Sequence, residues 1–330
     1  DNGPDGMHMF TGSVIEKDGT FHIYYTGHNP FNPAGLEFVM HATSPDTIHW
    51  TKHPDDMIVP DEIHYVNEGN KNFRDPYVFW NEEEQQYWML VIADGVKAGH
   101  PVKGLLTSKD LKTWTQEPPI EGAEAQECPD LFKIGDYYYL IGGGHYASSK
   151  NVRGPYTRKG NSIIDNPGVY AGKRMFDGKR HIWTGWAWDT GSLRDDDAIT
   201  WGGFQCSPRE LYAGPEGQLY CRPASEVTAV YQHTIFDMNT IQSKAEKNTQ
   251  WQFTSKGLEA TASDESTQCA IDVPISDAMV ECEIQLDPLA TFTLHLREQP
   301  KTKEGYFLRV NAKDQQVDWG SHDLKEKEFT

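Results

Sequence analysis

The sequence lacks any long hydrophobic run, and it has a deficit of positive charge. No apolar stretch approaches the roughly 20 residues that a transmembrane helix needs. Its 49 acidic residues outnumber its 30 basic ones, which gives a net charge of -19. Such a charge argues against nucleic acid or an anionic membrane as a partner, and it is typical of a soluble surface. The chain opens on Asp1 without a signal peptide, as expected of a mature, trimmed or partial sequence.

Cysteines are few, and they are not spaced as ligands. Their number is odd and no Cys-x-x-Cys pair occurs, so we expect neither a disulfide framework nor a zinc site. The five positions are Cys128, Cys206, Cys221, Cys269 and Cys282. No metal and no cofactor is predicted.

What the chain does contain is aromatic residues, glycine and proline. Aromatics make up 12% of its 330 residues, with 29 Gly and 19 Pro, which favours a turn-rich, all-β fold over long helices. This length exceeds what one hydrophobic core usually serves. We therefore predict a β-propeller domain over 1–223, incomplete at its N-terminus, a linker over 224–250, and a β-sandwich domain over 251–330, incomplete at its C-terminus.

Two short stretches repeat one plan. Asn72–Pro76 and Gln126–Asp130 each place charged residues before a proline, and strand-like runs follow both. Aligning the two prolines puts Arg74 on Glu127. One supersecondary unit is therefore reused, and acidic residues lie at its start.

A second repeat supports a radial arrangement. The spacing Ser-x-Asp-x-x-x-Trp occurs at 44/46/50 and again at 108/110/114. We interpret it as a polar turn in which the Asp bonds local backbone while the Trp covers the edge of a blade. Four strand-rich units are predicted, covering 7–60, 70–118, 125–160 and 168–223. They indicate about four blades of a five-bladed type of β-propeller, which explains the repeat better than a sandwich does.

The C-terminal part has a different pattern. Short runs alternate with period two at 269–273, 280–284, 292–296 and 306–310. Alternating runs with regular turns predict a partial β-sandwich with no closing strand.

The candidate chemistry lies at the starts of the four units. In a radial repeat these starts meet at one axis, so two carboxylates, a guanidinium and aromatic rings would line one funnel. A pair of acids, one protonated and one ionised, is what cleavage of a glycosidic bond requires. Repulsion between like charges raises the pKa of one acid and keeps its proton available. The aligned pairs are Phe10-Thr11, Arg74-Asp75, Glu127-Cys128 and Tyr170-Ala171.

At these residues the sequence resembles glycoside hydrolase family 32, the invertase, inulinase and levanase group. The resemblance rests on three ordered signatures and on a segment similar to the last blade of that family, and it covers about 7–227 well. The signatures are Phe10-Thr11-Gly12-Ser13, Arg74-Asp75-Pro76 and Glu127-Cys128-Pro129-Asp130, and the last segment runs from Trp201-Gly202-Gly203 to Pro208-Arg209-Glu210-Leu211.

The resemblance implies retaining cleavage at a fructosyl anomeric carbon within sucrose, inulin or levan. Glu127 would be the general acid/base, and Asp75 would hold sugar hydroxyls and stabilise the transition state. Arg74 would lie beside Asp75 and orient it as an ion-pairing partner, while Phe10 and Thr11 would shape the sugar pocket. The methyl group of Thr11 is a mild departure, because the family usually has a small hydroxyl there. An oligo- or polysaccharide partner and a secreted or periplasmic location are also implied.

The front of the chain departs from the family. The nucleophilic aspartate of the family lies in a first blade upstream of the Phe-x-Gly-Ser signature, and only nine residues precede Phe10 here. We expect Asp1–Gly6 to be a loop, so the nucleophile and the covalent step would be missing from this chain.

Other residues are interpreted more simply. Trp186, or Trp188, is a candidate for stacking on sugar, with core filling as the alternative. Asp195-Asp196-Asp197 is expected to be a solvated loop rather than a calcium site. Two other function classes stay open: a five-bladed glycosidase acting on arabinan or xylan, and a carbohydrate-binding propeller without activity.

Overall fold

The chain forms two compact units, Asp1–Val227 and Thr228–Thr330. The linker was predicted from residue 224, but residues 224–227 belong to the first unit and begin a short helix, α1 (Ser225–Thr228). The computed structural model describes residues 3–31, 35–160, 162–165, 168–188, 203–233, 251–254, 257–261, 278–298, 305–322 and 327–329.

The first unit is built from antiparallel sheets that follow one another along the chain. The first sheet has the order β1-β2-β3-β4 and the second β5-β6-β7-β8. Their strands are β1 His8–Lys17, β2 Thr20–His28, β3 Glu37–Ser44, β4 Thr51–Lys52, β5 Phe73–Asn81, β6 Gln86–Asp94, β7 Pro101–Ser108 and β8 Thr115–Glu117, with a 3₁₀ turn at Pro54–Asp56.

The next two sheets repeat the up-and-down order. The third is β11-β10-β9, and the fourth is β12-β13-β15-β16 with β14 also paired to β13. Their strands are β9 Asp130–Ile134, β10 Tyr137–Gly142, β11 His145–Ser149, β12 Val169–Phe176, β13 His181–Trp188, β14 Gly203–Gln205, β15 Arg209–Ala213 and β16 Leu219–Pro223, with a 3₁₀ turn at Pro215–Gly217.

Neighbouring sheets pack face to face, and each interface has its own hydrophobic core. Tyr24 and Val39 of the first sheet join Met89 and Val91 of the second. The opposite face of the second sheet joins the third, and the third joins the fourth around Trp183. Stacking of successive sheets is what a radial repeat requires.

Adjacent residues of one inner strand therefore belong to different cores. Along β6, Met89 lies in the core shared with the first sheet, whereas Leu90 lies in the core shared with the third. Along β10, Leu140 and Ile141 divide in the same way. Period-two alternation explains this, because successive side chains of a strand point to opposite faces.

The repeated polar turns form as the sequence predicts. Asp46 Oδ1 accepts from the backbone nitrogens of Ile48 and His49 at 2.9 and 2.8 Å. Asp110 Oδ1 accepts from those of Lys112 and Thr113 at 2.8 Å each. In both turns the Ser hydroxyl also donates to the Asp carboxylate.

The second unit contains two sheets within its described residues. One pairs β17 with β18, and the other has the order β19-β20-β21-β22. Their bounds are β17 Trp251–Thr254, β18 Gly257–Ala260, β19 Thr291–Leu296, β20 Gly305–Asn311, β21 Gln316–His322 and β22 Lys327–Phe329. The strands predicted at 292–296 and 306–310 form. The one predicted at 280–284 does not, since these residues have no regular secondary structure. The run at 269–273 lies outside the described residues.

No helix in the described part of the chain is long and apolar enough to cross a membrane.

Candidate active site

The first strands of three sheets are interrupted at one equivalent position. The pairing register shifts between Phe10 and Gly12, between Arg74 and Tyr77, and between Tyr170 and Lys173. Such β-bulges re-aim side chains and are common beside active sites. In the second, third and fourth sheets the residue at this position has a positive φ, namely 58° at Asp75, 54° at Cys128 and 50° at Ala171.

The residue after each of these positions explains the interruption locally. Pro76 and Pro129 have no N–H to donate to a ladder. Gly12 and Gly172 lie where a Cβ could not fit, because it would approach Tyr24 O to 2.2 Å or the Trp183 ring to 2.3 Å. A Gly or Pro therefore follows the equivalent position in each of the four sheets, which is why aligning the two prolines also finds the register of the other two sheets.

Hydrogen bonds tie these equivalent positions of successive sheets together. The Cys128 backbone N–H donates to Asp75 Oδ2 at 2.9 Å. The Asp75 N–H donates to the Thr26 hydroxyl at 2.9 Å, and that hydroxyl donates to Thr11 O at 3.2 Å. Thr11 Oγ1 lies 3.5 Å from Cys128 Sγ. The strand starts predicted to converge are in direct contact.

Arg74 joins the two candidate acids. Its Nη2 donates to Glu127 Oε1 at 2.8 Å, and its Nε lies 4.0 Å from Asp75 Oδ2. A third carboxylate, Glu37 of β3, lies 3.3 Å from Arg74 Nη1. One guanidinium thus bridges acids from three sheets, and such charge-assisted contacts fix geometry as well as charge.

Glu127 reaches the site from the turn before β9. Its Oε2 accepts a hydrogen bond from the Tyr170 hydroxyl, and its backbone oxygen accepts from the Gly143 N–H at 2.7 Å. The Glu127 side chain is 39% exposed, whereas that of Asp75 is 5% exposed. Glu127 is the more accessible of the two acids, while Asp75 is buried.

The two acids differ in the direction of their pKa shifts. Burial raises the pKa of Asp75, although the hydrogen bond from Cys128 and the charge of Arg74 oppose it. Burial acts in the same direction on Glu127, but the hydrogen bonds from Tyr170 and Arg74 outweigh it and leave the pKa of Glu127 below its usual value. The raised pKa therefore belongs to Asp75 and not to the acid with the general-acid assignment.

The two aromatic candidates lie at the same end of the sheets. Phe10 is 42% exposed, and its ring centroid lies 4.7 Å from that of His28. Trp186 is partly buried and is paired with Tyr170 in the register of β12 and β13. Trp183, three residues earlier on β13, is buried in the core between the third and fourth sheets.

Three charged residues of the site were not predicted from the sequence. Glu37 accepts from the Phe73 N–H at 3.1 Å as well as from Arg74. Lys103 Nζ donates to Gln126 O, and Lys173 Nζ donates to Pro129 O at 2.9 Å. Of these three, Lys103 could have been found from the sequence, because it is a charged residue inside the apolar run of β7. A fully buried lysine is rare unless it is paired.

The residues before β1 form bends and a turn within the described part, with the Gly6 N–H donating to Gly3 O. The Asp5 carboxylate is bound by the Tyr25 hydroxyl and the Lys52 ammonium. Asp5 therefore has structural partners on the first sheet, as a loop residue would. Asp1 and Asn2 lie outside the described residues.

Several earlier candidates cannot be placed. Asp195–Asp197, Trp201 and Gly202 lie outside the described residues, as does the side chain of Trp188. Within the described residues, no group of three or more His, Cys, Asp or Glu side chains is arranged to hold a metal ion.

Residues 1–223 match the family model described as "Glycosyl hydrolases family 32 N-terminal domain". Among curated proteins, sucrose-6-phosphate hydrolase of Escherichia coli is 29% identical over 280 residues, covering 74% of this chain and 55% of that protein. An insoluble β-fructofuranosidase isoenzyme of Arabidopsis thaliana is 26% identical over 265 residues, covering 66% and 45% respectively. The chain thus spans about half the length of these relatives.

A solved structure supports the architecture. The chain is similar to fructan 1-exohydrolase IIa from Cichorium intybus with a TM-score of 0.56 and 23% identity, over 70% of this chain and 49% of that one. At this identity the similarity concerns the fold alone. The prediction of an all-β, propeller-type architecture is confirmed.

Proposed function

Because this chain belongs to glycosyl hydrolases family 32, we propose that the whole protein cleaves β-fructofuranosidic bonds of the sucrose, inulin or levan type with retention. Glu127 acts as the general acid/base. Asp75 holds sugar hydroxyls and stabilises the transition state, and Arg74 orients both acids. Phe10, Thr11 and Trp186 line the sugar pocket, and an oligo- or polysaccharide is the partner.

One observation carries the proposal: Arg74 reaches both Glu127 and Asp75 from one bulged strand start. Acids that are 52 positions apart in the sequence are thereby held within reach of one sugar ring. Two carboxylates beside a scissile bond are the common requirement of glycoside cleavage.

The ionisation of Glu127 fits one half of the proposed cycle. Glu127 is ionised in the unliganded site because Tyr170 and Arg74 outweigh its burial, which suits the base half of a retaining cycle. The acid half requires a further negative charge beside Glu127 to raise its pKa. A nucleophilic carboxylate elsewhere in the whole protein would supply that charge.

The curated relatives favour fructosides over the arabinan or xylan alternative. Their names describe a sucrose-6-phosphate hydrolase and β-fructofuranosidases. A substrate screen distinguishes among sucrose, inulin and levan.

The test is a substrate screen with the full-length protein followed by Glu127→Gln. We expect release of fructose from at least one β-fructoside, with retention seen by proton NMR of the first-formed anomer. Glu127→Gln should lower kcat by about 10²–10⁴-fold while the circular dichroism spectrum is unchanged. Glu124→Gln is the matched control, since Glu124 is an exposed acid three residues away that is paired with Arg158.

Wild-type turnover in Glu127→Gln would contradict the assignment. Binding of a fructo-oligosaccharide by calorimetry without turnover by the full-length protein would instead favour a carbohydrate-binding propeller.

A further inference from the structure

Residues of three sheets bind the main-chain polar groups of the turn that carries Glu127. The Cys128 N–H is bound by Asp75 of the second sheet, and Glu127 O accepts from the Gly143 N–H of its own sheet. The two flanking carbonyls, Gln126 O and Pro129 O, each accept from a lysine ammonium. A turn with a left-handed residue at Cys128 is thereby fixed on both sides, which limits where its side chains can point.

Lys103 binds the first flanking carbonyl from the second sheet. It is 1% exposed and lies in β7 between the buried residues Val102 and Gly104. Burial lowers its pKa to about 7, although the charge of Asp75 opposes this shift. A lysine placed so deeply is costly unless it has a partner, and the carbonyl of Gln126 is that partner.

Lys173 binds the second flanking carbonyl from the fourth sheet. Its Nζ lies 2.9 Å from Pro129 O and 5.3 Å from the centroid of the Tyr77 ring. Burial lowers its pKa, while Asp130, Cys128 and Asp75 act in the opposite sense. The two ammonium groups thus bind one four-residue turn from the sheets on either side of it.

We propose that Lys103 and Lys173 are positioning residues that clamp the turn of Glu127 and hold its carboxyl group in the reactive position. This inference rests on the proposed function. It adds a reason for two buried cations whose side chains donate to main-chain carbonyls on either side of Glu127.

The charges around Lys103 make the clamp measurable. Lys103 lowers the pKa of Glu127 through its charge, beside the larger effects of Tyr170 and Arg74. Loss of that charge should therefore raise the pKa of Glu127. The charged and titratable groups that face Lys103 are Asp75, Lys173, Cys128, Arg74 and Glu127.

The test compares Lys103→Met, Lys103→Gln and Lys173→Met in the full-length protein. Misplacing a catalytic group by about 1 Å costs about 100-fold, so we expect both Met variants to lower kcat by about 10–100-fold with KM changed less than about 3-fold. In Lys103→Met the alkaline limb of the kcat/KM profile, which follows deprotonation of Glu127 as the general acid, should move to higher pH. Lys103→Gln keeps a donor without charge, so it should move the limb but retain more of kcat.

Lys109→Met is the matched control. Lys109 also donates to a backbone carbonyl, Gln85 O at 2.9 Å, but it lies exposed on the loop after β7. It should leave kcat and the limb unchanged. An unmoved limb in both Lys103 variants, or an equal loss of kcat in Lys109→Met, would overturn the proposal.

A second readout works without turnover. Carbon-13 labelling of the glutamate carboxyls of the full-length protein reports the pKa of Glu127, which should rise in Lys103→Met and Lys103→Gln alike. If the wild-type protein turns over no fructoside, the proposed function fails while this titration still decides the clamp. An unchanged Glu127 titration would then refute it.

Discussion

At the scale of single residues, Asp75 has two separable tasks. Its carboxylate accepts from the Cys128 N–H, which joins the second and third sheets, and it is the proposed stabiliser of the transition state. The first task needs only an acceptor oxygen, while the second needs charge. Substitutions that remove one and keep the other can therefore distinguish them.

Asp75→Asn should keep the fold and lose most turnover. Its amide oxygen can still accept from Cys128, whereas the charge is gone, so we expect kcat to fall by about 10²-fold or more. Asp75→Ala leaves the buried Cys128 N–H without a partner, and should also lower the free energy of unfolding by about 1–3 kcal/mol. Urea unfolding and fructose release measure the two effects. Equal stability of Asn and Ala variants would contradict the structural task.

Tyr170 should control the ionisation of Glu127. Tyr170→Phe removes the hydroxyl that donates to Glu127 Oε2, while the burial that raises the pKa remains. We expect the pKa of Glu127 to rise, as measured by carbon-13 titration of the carboxyl. Tyr138→Phe is the control, because that hydroxyl donates to Glu83 instead. It should shift Glu83 and leave Glu127 unchanged.

At the scale of elements, the Ser-x-Asp-x-x-x-Trp turn is a self-contained unit. Thr47 and Leu111, the residues after the two aspartates, both have positive φ, at 63° and 65°. The aspartate compensates by accepting from the next backbone N–H groups. Equal spacing in the sequence thus gave equal geometry, because the Ser and Asp hydrogen bonds that form both turns are local.

Replacement of Asp110 by Ala should test this locality. Two backbone N–H groups lose their acceptor, so we expect a loss of about 1 kcal/mol in the free energy of unfolding. Asp110→Asn keeps one acceptor oxygen and should lose less. The comparison is made by urea unfolding at pH 7, and a larger loss for Asn than for Ala would contradict it.

The two faces of an inner strand should behave as independent sites. Met89→Ala and Leu90→Ala each open a buried cavity and should cost about 2–5 kcal/mol. Because these side chains belong to different cores, their effects should add within about 0.5 kcal/mol. Leu90 and Leu105 are register partners in one core, so that pair should couple. Double-mutant cycles by denaturant unfolding decide between the two outcomes.

At the scale of the whole molecule, the sequence predicted what depends on chain position. The register of Thr11, Asp75 and Cys128 followed from aligned prolines, and the all-β class followed from composition. Contacts between distant parts of the chain, such as the one from Lys103 Nζ to the backbone oxygen of Gln126, depend on packing that no local pattern encodes. The strand predicted at 280–284 is wrong because alternation alone does not supply a pairing partner.

Stability of the molecule should fall as the pH drops below about 6.5. His22 Nδ1 lies 3.0 Å from His41 Nε2 within the first sheet, and burial lowers the pKa of both. The unfolded chain then binds protons near pH 6.5 that the folded chain does not bind. The free energy of unfolding therefore decreases progressively below that pH.

The double variant His22→Gln with His41→Gln should therefore lose less stability than the wild type between pH 7 and pH 5. Thermal midpoints across this range provide the measurement. His49→Gln, at an exposed turn, is the control and should follow the wild type. Parallel pH curves for the double variant and the wild type would refute the assignment.

The division of each inner strand between two cores has a consequence for how such a molecule can change. A substitution on β6 or β10 changes the packing against only one neighbouring sheet. Replacing the whole sheet by that of a relative changes the packing against both neighbours at once. Inner blades are consequently not interchangeable cassettes. Chimaeras should tolerate crossovers best where two neighbouring blades come from the same parent, so that the hydrophobic core between them is kept intact.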